Sequence, residues 1–359
     1  MDDKRMELIS AEARVAGLDV HCAFTELAAL GPRGRLICRQ RLTTALPEIL
    51  EGLTHVGRPR VVVLEEGPLA DWLMRGLAEK GETVIVSDPR RNALIAKESD
   101  KDDPIDAFKL AQLARGGFLR PVHHPASFER MVFKRRVALY HDRVRQRVRQ
   151  ANLVMAQARS HGVFVPENAF AEDAGQHALL ARLPRCAELR EDFRILLDGY
   201  RAARQQEQRA ERGLIRLART HPEIVRFRAV PGYGWIRAAT FFTFVDTPWR
   251  FRNKSALWKY TGIGLARRGS GGPVRLHVPA NVNRMLKNTV LGAAISAIQG
   301  GRSEFAMLYE RWLAHGLTPR SARRNVARTQ TAVLWGMWKN GGDYHPEWIG
   351  RSLQTALSS

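Results

Sequence analysis

Lys101-Asp102-Asp103-Pro104-Ile105-Asp106-Ala107 crowds three carboxylates into five positions. It then runs into an apolar pattern with helical spacing: Ala107, Leu110, Ala111, Leu113 and Ala114. Pro104 suits the first turn of a helix, where its missing N–H would have no partner. Asp102 or Asp103 can act as N-cap. Asp103 and Asp106 are three apart and share a helix face. Two carboxylates on one spot repel unless a cation lies between them, and carboxylate oxygens suit Mg²⁺ or Mn²⁺. On its own the stretch is most simply a solvated acidic helix start, which the helix dipole also favours. The segments on either side change that reading.

Upstream, a polar leader over residues 1–12 gives way to Val15-Ala16-Gly17-Leu18-Asp19-Val20, a buried strand with an acid near its end. Residues 22–30 and 35–41 read as two further strands joined by the turn Gly31-Pro32-Arg33-Gly34. Leu46, Ile49, Leu50 and Leu53 have helical spacing. Arg60-Val61-Val62-Val63-Leu64 reads as a central strand that ends in Glu65-Glu66-Gly67-Pro68. A helix through Leu69, Trp72, Leu73 and Leu77 precedes the strand Thr83-Val84-Ile85-Val86.

This order is α/β, and in such sheets sites form beyond the carboxyl ends of the strands. Asp19 and Glu65 fall there, and Asp103 and Asp106 come from a later helix. Four acids from three elements can converge, as in ribonuclease-H-like nucleases, where two metals about 4 Å apart activate a nucleophile and stabilise the leaving oxygen of a phosphodiester. Alternation puts Glu65 and Glu66 on opposite faces, so one of the two is the ligand. An actin-like ATPase would need Gly and Ser/Thr after the first acid, but Val20-His21-Cys22 follows Asp19.

A net charge of +21 with 45% hydrophobic residues describes a folded protein with a polyanionic partner. No apolar run reaches the roughly 18 residues of a membrane span, and the start of the chain reads as no signal peptide. Three scattered cysteines, Cys22, Cys38 and Cys186, fit a reducing cytoplasm and argue against disulfides or a zinc finger.

From residue 126 the chain turns helical and arginine-rich, with Arg130, Lys134, Arg135, Arg136, Arg143, Arg145, Arg147 and Arg149, and with Asp142 the one acid in 142–150. A solvated face is the plain reading, but the local scarcity of acids favours nucleic-acid contact. A second helical run covers 187–219, so the two are expected to form a long antiparallel arm. Val230-Pro231-Gly232-Tyr233-Gly234 resembles the turn of a helix-hairpin-helix, whose backbone can approach a phosphate. In Arg267-Arg268-Gly269-Ser270-Gly271-Gly272 a serine sits on permissive backbone beside two cations. It is either part of a basic loop or a nucleophile. Amphipathic helices close the chain, and Trp335, Trp338 and Trp348 read as core.

Together these motifs resemble the DEDD transposases of the insertion-sequence one-ten class, also called bridge-RNA-guided recombinases. The resemblance rests on Gly17-Leu18-Asp19-Val20-His21, Glu65-Glu66-Gly67-Pro68 and Lys101-Asp102-Asp103-Pro104-Ile105-Asp106-Ala107. In the second half it rests on Val230-Pro231-Gly232-Tyr233-Gly234, Tyr260-Thr261-Gly262-Ile263-Gly264 and Gly269-Ser270-Gly271-Gly272. The family pattern sets the register on Glu65, Asp103 and Asp106. The stretch Val278–Lys287 departs from it, because the family's lysine and glycine are missing.

The resemblance implies a ribonuclease-H-like (RuvC-like) α/β domain over 1–125, a helical coiled-coil dimerisation arm over 126–221, and a mainly α transposase domain with a catalytic serine over 222–359. It implies that Asp19, Glu65, Asp103 and Asp106 bind Mg²⁺ or Mn²⁺ and that Ser270 forms a phosphoserine link to DNA. The implied partners are double-stranded donor and target DNA and a structured guide RNA, with homodimers assembling into a homotetramer whose sites combine domains of two subunits. The implied setting is the prokaryotic cytoplasm, at the nucleoid. The alternative is a metal-dependent, Holliday-junction-resolvase-like nuclease that uses water and leaves Ser270 idle. A non-catalytic nucleic-acid-binding protein is a third reading, and intact acids at all four positions argue against it.

Overall fold

The computed structural model describes residues 9–89, 103–125, 127–268, 275–277, 282–347 and 349. The chain divides into two compact units, Met1–His124 and Pro125–Ser359.

The first unit is built on a five-stranded mixed sheet. Its strands are β1 (Arg14–Val20), β2 (Phe24–Leu30), β3 (Leu36–Thr43), β4 (Arg60–Glu65) and β5 (Thr83–Ser87), in spatial order β3-β2-β1-β4-β5. β1, β4 and β5 are parallel, while β2 and β3 form the antiparallel hairpin read from the sequence. Strands covered on both faces read as unbroken apolar runs, and Val61, Val62, Val63 and Leu64 are all buried. Helices α1 (Leu46–Thr54) and α2 (Ala70–Glu79) cover one face, packing Ile49, Leu53, Leu73 and Leu77 onto Ala16, Leu18, Val62 and Leu64. Helix α3 (Asp103–Arg115) covers the other, where Leu110, Ala111 and Ala114 meet Val15, Val61 and Val63. Alternation along each strand sorts the side chains between these two cores.

Gly17 explains how closely α3 docks. A Cβ on this residue would lie 2.2 Å from the Ala107 carbonyl oxygen and 2.9 Å from the Ala111 nitrogen. At the far end of the helix, Arg115 donates to the carbonyls of Ala13 (2.8 Å) and Ala11 (2.7 Å), just ahead of β1. The helix therefore runs antiparallel to β1, and its first turn lies toward the carboxyl end of that strand.

The second unit is helical apart from a small hairpin. Helix α4 (Phe128–Ser160) and helix α6 (Ala187–Ala218) are each about 50 Å long at 1.5 Å per residue. They run antiparallel: Arg136 reaches Gly213 and Gln150 reaches Gly199. Between them come a 3-10 turn (Glu167–Phe170) and α5 (Asp173–Arg182), which close a local core of Val154, Ala158, Phe170, Phe193, Leu197 and Tyr200. There follow α7 (Pro222–Phe227), α8 (Trp235–Val245), a 3-10 turn (Pro248–Arg250) and α9 (Lys254–Tyr260). The antiparallel pair β6 (Ala266–Arg268) and β7 (Arg275–His277) leads to α10 (Arg284–Gln299), α11 (Glu304–Ala314) and α12 (Pro319–Asn340). The core of this part gathers Phe227, Phe241, Phe242, Leu286, Val290, Phe305, Val326 and Leu334. Trp338 stacks on Phe242 at 5.1 Å, in keeping with its reading as core, while Trp348 lies outside the described residues.

The acids that the sequence around Arg130–Arg149 lacks arrive from elsewhere in the fold. Arg130 pairs with Asp246, and Arg147 pairs with Glu167 and Glu207. Arg143 and Arg145 share Asp142. Local composition therefore overstated the free positive charge of this helix: Arg130 and Arg147 tie it to other elements, while Arg143 and Arg145 pair with an acid of the helix itself.

Candidate active site

Strand register brings the first two acids together. Leu18 pairs with Leu64 across the parallel β1–β4 ladder, so Asp19 and Glu65, one residue further on, are neighbours at the carboxyl edge of the sheet. Asp19 is partly buried and Glu65, the last residue of β4, is exposed. His21 Nε2 lies 3.0 Å from Asp19 Oδ2, and its ring packs on Phe24 at 4.6 Å. The third element is the first turn of α3, directed at this same edge by the Gly17–Ala107 contact. Asp103 begins the helix, and its backbone alone is described. Asp106 is exposed one position before the buried Ala107. Among the described residues no cluster of three His, Cys, Asp or Glu side chains forms a ready-made metal site. The donor set at this edge consists of carboxylates and suits a hard divalent cation. Ser270 lies outside the described residues, in the sequence between β6 and β7.

Two groups at this edge escape a sequence reading. Glu26 pairs directly across from Asp19 in the β1–β2 ladder, is 5% exposed, and accepts from Arg41 Nε at 2.5 Å. Only the hairpin register reveals it. The other is His124, whose side chain is 7% exposed and wedged between Glu66 (Nε2 to Oε2, 3.0 Å) and Asp71 (Nδ1 to Oδ1, 2.8 Å). Burial opposes a charge on this imidazole, but the hydrogen bonds and negative charges of Glu66 and Asp71 outweigh it and raise its pKa above the usual histidine value. The chain segment that delivers it runs along β5, with Val122 N donating to Val86 O at 2.8 Å and Asp88 N to Arg120 O at 3.1 Å. His124 thus ties the residue after Glu65 to the first turn of α2. This gives Glu66, the residue next to Glu65 at the strand end, a structural partner.

The Pro231–Gly232 turn has a packing role of its own. Gly232 has φ +88, and a Cβ there would lie 2.1 Å from the Ala293 carbonyl oxygen. Its glycine lets α10 approach. Gly234, at the N-cap of α8, has open space around its Cα. In the departing stretch 278–287, Asn283 caps α10 by accepting from Leu286 N at 2.9 Å and donates to the Tyr260 hydroxyl at 3.3 Å.

A mixed sheet sandwiched by helices, with acids at its carboxyl edge, defines an α/β domain followed by a helical one. Residues 16–160 match the DEDD_Tnp_IS110 family model, described as a transposase, and residues 225–310 match the model of the transposase IS116/IS110/IS902 family. The chain carries the two domains of IS110-family transposases. It is also similar to the insertion element IS110 uncharacterized 43.6 kDa protein of Streptomyces coelicolor, at 26% identity over 150 residues, which are 42% of this chain and 37% of that protein. Among solved structures, T. thermophilus RuvC in complex with a Holliday junction substrate aligns with 31% of this chain and 99% of its own, at 19% identity and a TM-score of 0.24. No helix among the described residues is long and apolar enough to cross a membrane.

Proposed function

We propose that this protein is an RNA-guided DNA recombinase that cuts and exchanges strands through a phosphoserine intermediate. The observation that carries the reading is the meeting of β1, β4 and the first turn of α3 at one sheet edge, in a chain that also carries both transposase domains. Asp19, Glu65, Asp103 and Asp106 would hold Mg²⁺ or Mn²⁺. A divalent ion bound there supplies charge stabilisation for the attacking and leaving oxygens. Ser270 Oγ attacks the scissile phosphorus, and the P–O bond to a deoxyribose oxygen breaks. That oxygen leaves as a hydroxyl after taking up a proton, and the DNA stays esterified to the serine. A strand hydroxyl from the other DNA then displaces Ser270 and reseals the backbone. The charge of +21 suits a protein that holds two duplexes and a structured RNA. It would act in a prokaryotic cytoplasm as a homotetramer built from homodimers.

The test is covalent capture. Purified protein, Mg²⁺, RNA transcribed from the element's flank and labelled junction DNA are mixed, then denatured. A protein–DNA adduct that disappears in Ser270→Ala is the expected result. Cleaved DNA without an adduct, equal in Ser270→Ala, would replace this reading with a water-using nuclease of the junction-resolving kind.

A further inference from the structure

Trp249 keeps 71% of its surface exposed. Tryptophan is ordinarily among the most buried side chains on average, because its ring offers a large apolar area. The turn beneath it is well held. Thr247 Oγ1 accepts from Trp249 N at 3.4 Å, and Trp335 Nε1 donates to the carbonyl of Pro248 at 2.9 Å. Arg250 Nη1 donates to the Phe244 carbonyl at 3.0 Å. Just upstream, Asp246 adopts φ +65, a region that L-residues seldom enter, and Arg130 clamps its carboxylate. The backbone that carries the ring is therefore held in place.

Its surroundings define what it can receive. Lys339 Nζ lies 4.8 Å from the Trp249 ring centroid and 4.3 Å from that of Trp335. Arg252, Lys254 and Lys259, next to Trp249 in the chain, are exposed. The exposed ring and the cations beside it suit a ligand that is anionic and offers a flat π face. A duplex keeps its base faces stacked inside, whereas an unpaired nucleotide carries both features at once.

We propose that Trp249 is a stacking platform for an unpaired base of a DNA strand, with Lys339 contacting the adjoining phosphate. The site would capture a strand as the duplex opens for exchange. It rests on the reading of this chain as a DNA-acting protein, but not on the acid edge or on Ser270, so binding alone tests it.

The experiment measures anisotropy of labelled oligodeoxythymidine, and of a duplex of the same length, with the intact chain. Trp249→Ala should weaken single-strand binding by about tenfold or more, leave duplex binding within about twofold, and leave the salt slope unchanged. Trp249→Phe should retain most of the affinity. Lys339→Gln should lower the single-strand salt slope by about 0.7. Unchanged single-strand binding in Trp249→Ala, or an equal loss on duplex, would overturn the platform. A loss seen with oligouridine alone would overturn the DNA assignment. A change confined to the sedimentation mass would make the surface a protein contact instead. If the unmutated chain bound neither oligonucleotide, the DNA-acting reading itself would fall.

Discussion

In the sheet unit, Asp19 and Glu65 stand on adjacent parallel strands whose backbone hydrogen bonds set their alignment. In the helical unit, Trp249 and Lys339 meet where the turn at Pro248 is bonded to α12 by Trp335. The first arrangement comes from local periodicity and ladder register. The second depends on side-chain packing between segments far apart in sequence. Chemistry mounted on a sheet edge should therefore tolerate changes that remove charge, whereas the helical unit should be sensitive to the loss of single long-range ties.

The largest expected effect tests the first half of that contrast. Asp19→Asn or Glu65→Gln should reduce strand cleavage on the order of a hundredfold or more. Both should leave thermal stability unchanged or slightly higher, since neighbouring carboxylates repel. Cleavage assays paired with melting curves check this, and a large drop in stability would mean that the acids are structural.

Arg130→Ala tests the other half. It strips the partner from Asp246, whose side chain is only 11% exposed, and removes the cation 3.6 Å above the Phe242 ring. Losing one member of such a pair costs about 3 kcal/mol, and hydrogen exchange should show the loss in residues 125–359 and not in the sheet unit.

Gly17→Ala should cost about 1–3 kcal/mol in the sheet unit, because the new Cβ meets backbone atoms that cannot give way. Cleavage should fall further than stability explains, because α3 carries Asp103 and Asp106. Urea titration beside an activity assay separates the two effects.

The smallest effect is a pH slope. The folded-state pKa of His124 is raised, so its contribution is complete below about pH 6.5, the unfolded value, and is lost as pH rises through the folded pKa. The stability difference between the unmutated chain and His124→Gln should shrink steadily as the pH of the titration is raised.

Unbroken apolar runs, turn residues and the position of acids at run ends made the α/β order, the hairpin and the strand-end positions of Asp19 and Glu65 legible from residues alone. Those features depend on neighbours a few positions apart. Tertiary structure decided the rest. The direction of α3 follows from Gly17 meeting Ala107 and from Arg115 reaching Ala13. The pairing of Glu26 with Asp19 follows from register, and the clamp on Glu66 from a histidine more than fifty residues away (|i−j| = 58). Arginines that looked unbalanced found Glu167, Glu207 and Asp246, and Gly232 admits the close approach of a helix of which the sequence carries no sign. Charge balance and backbone approach are set by which distant segments come together, and composition within a window carries no record of that.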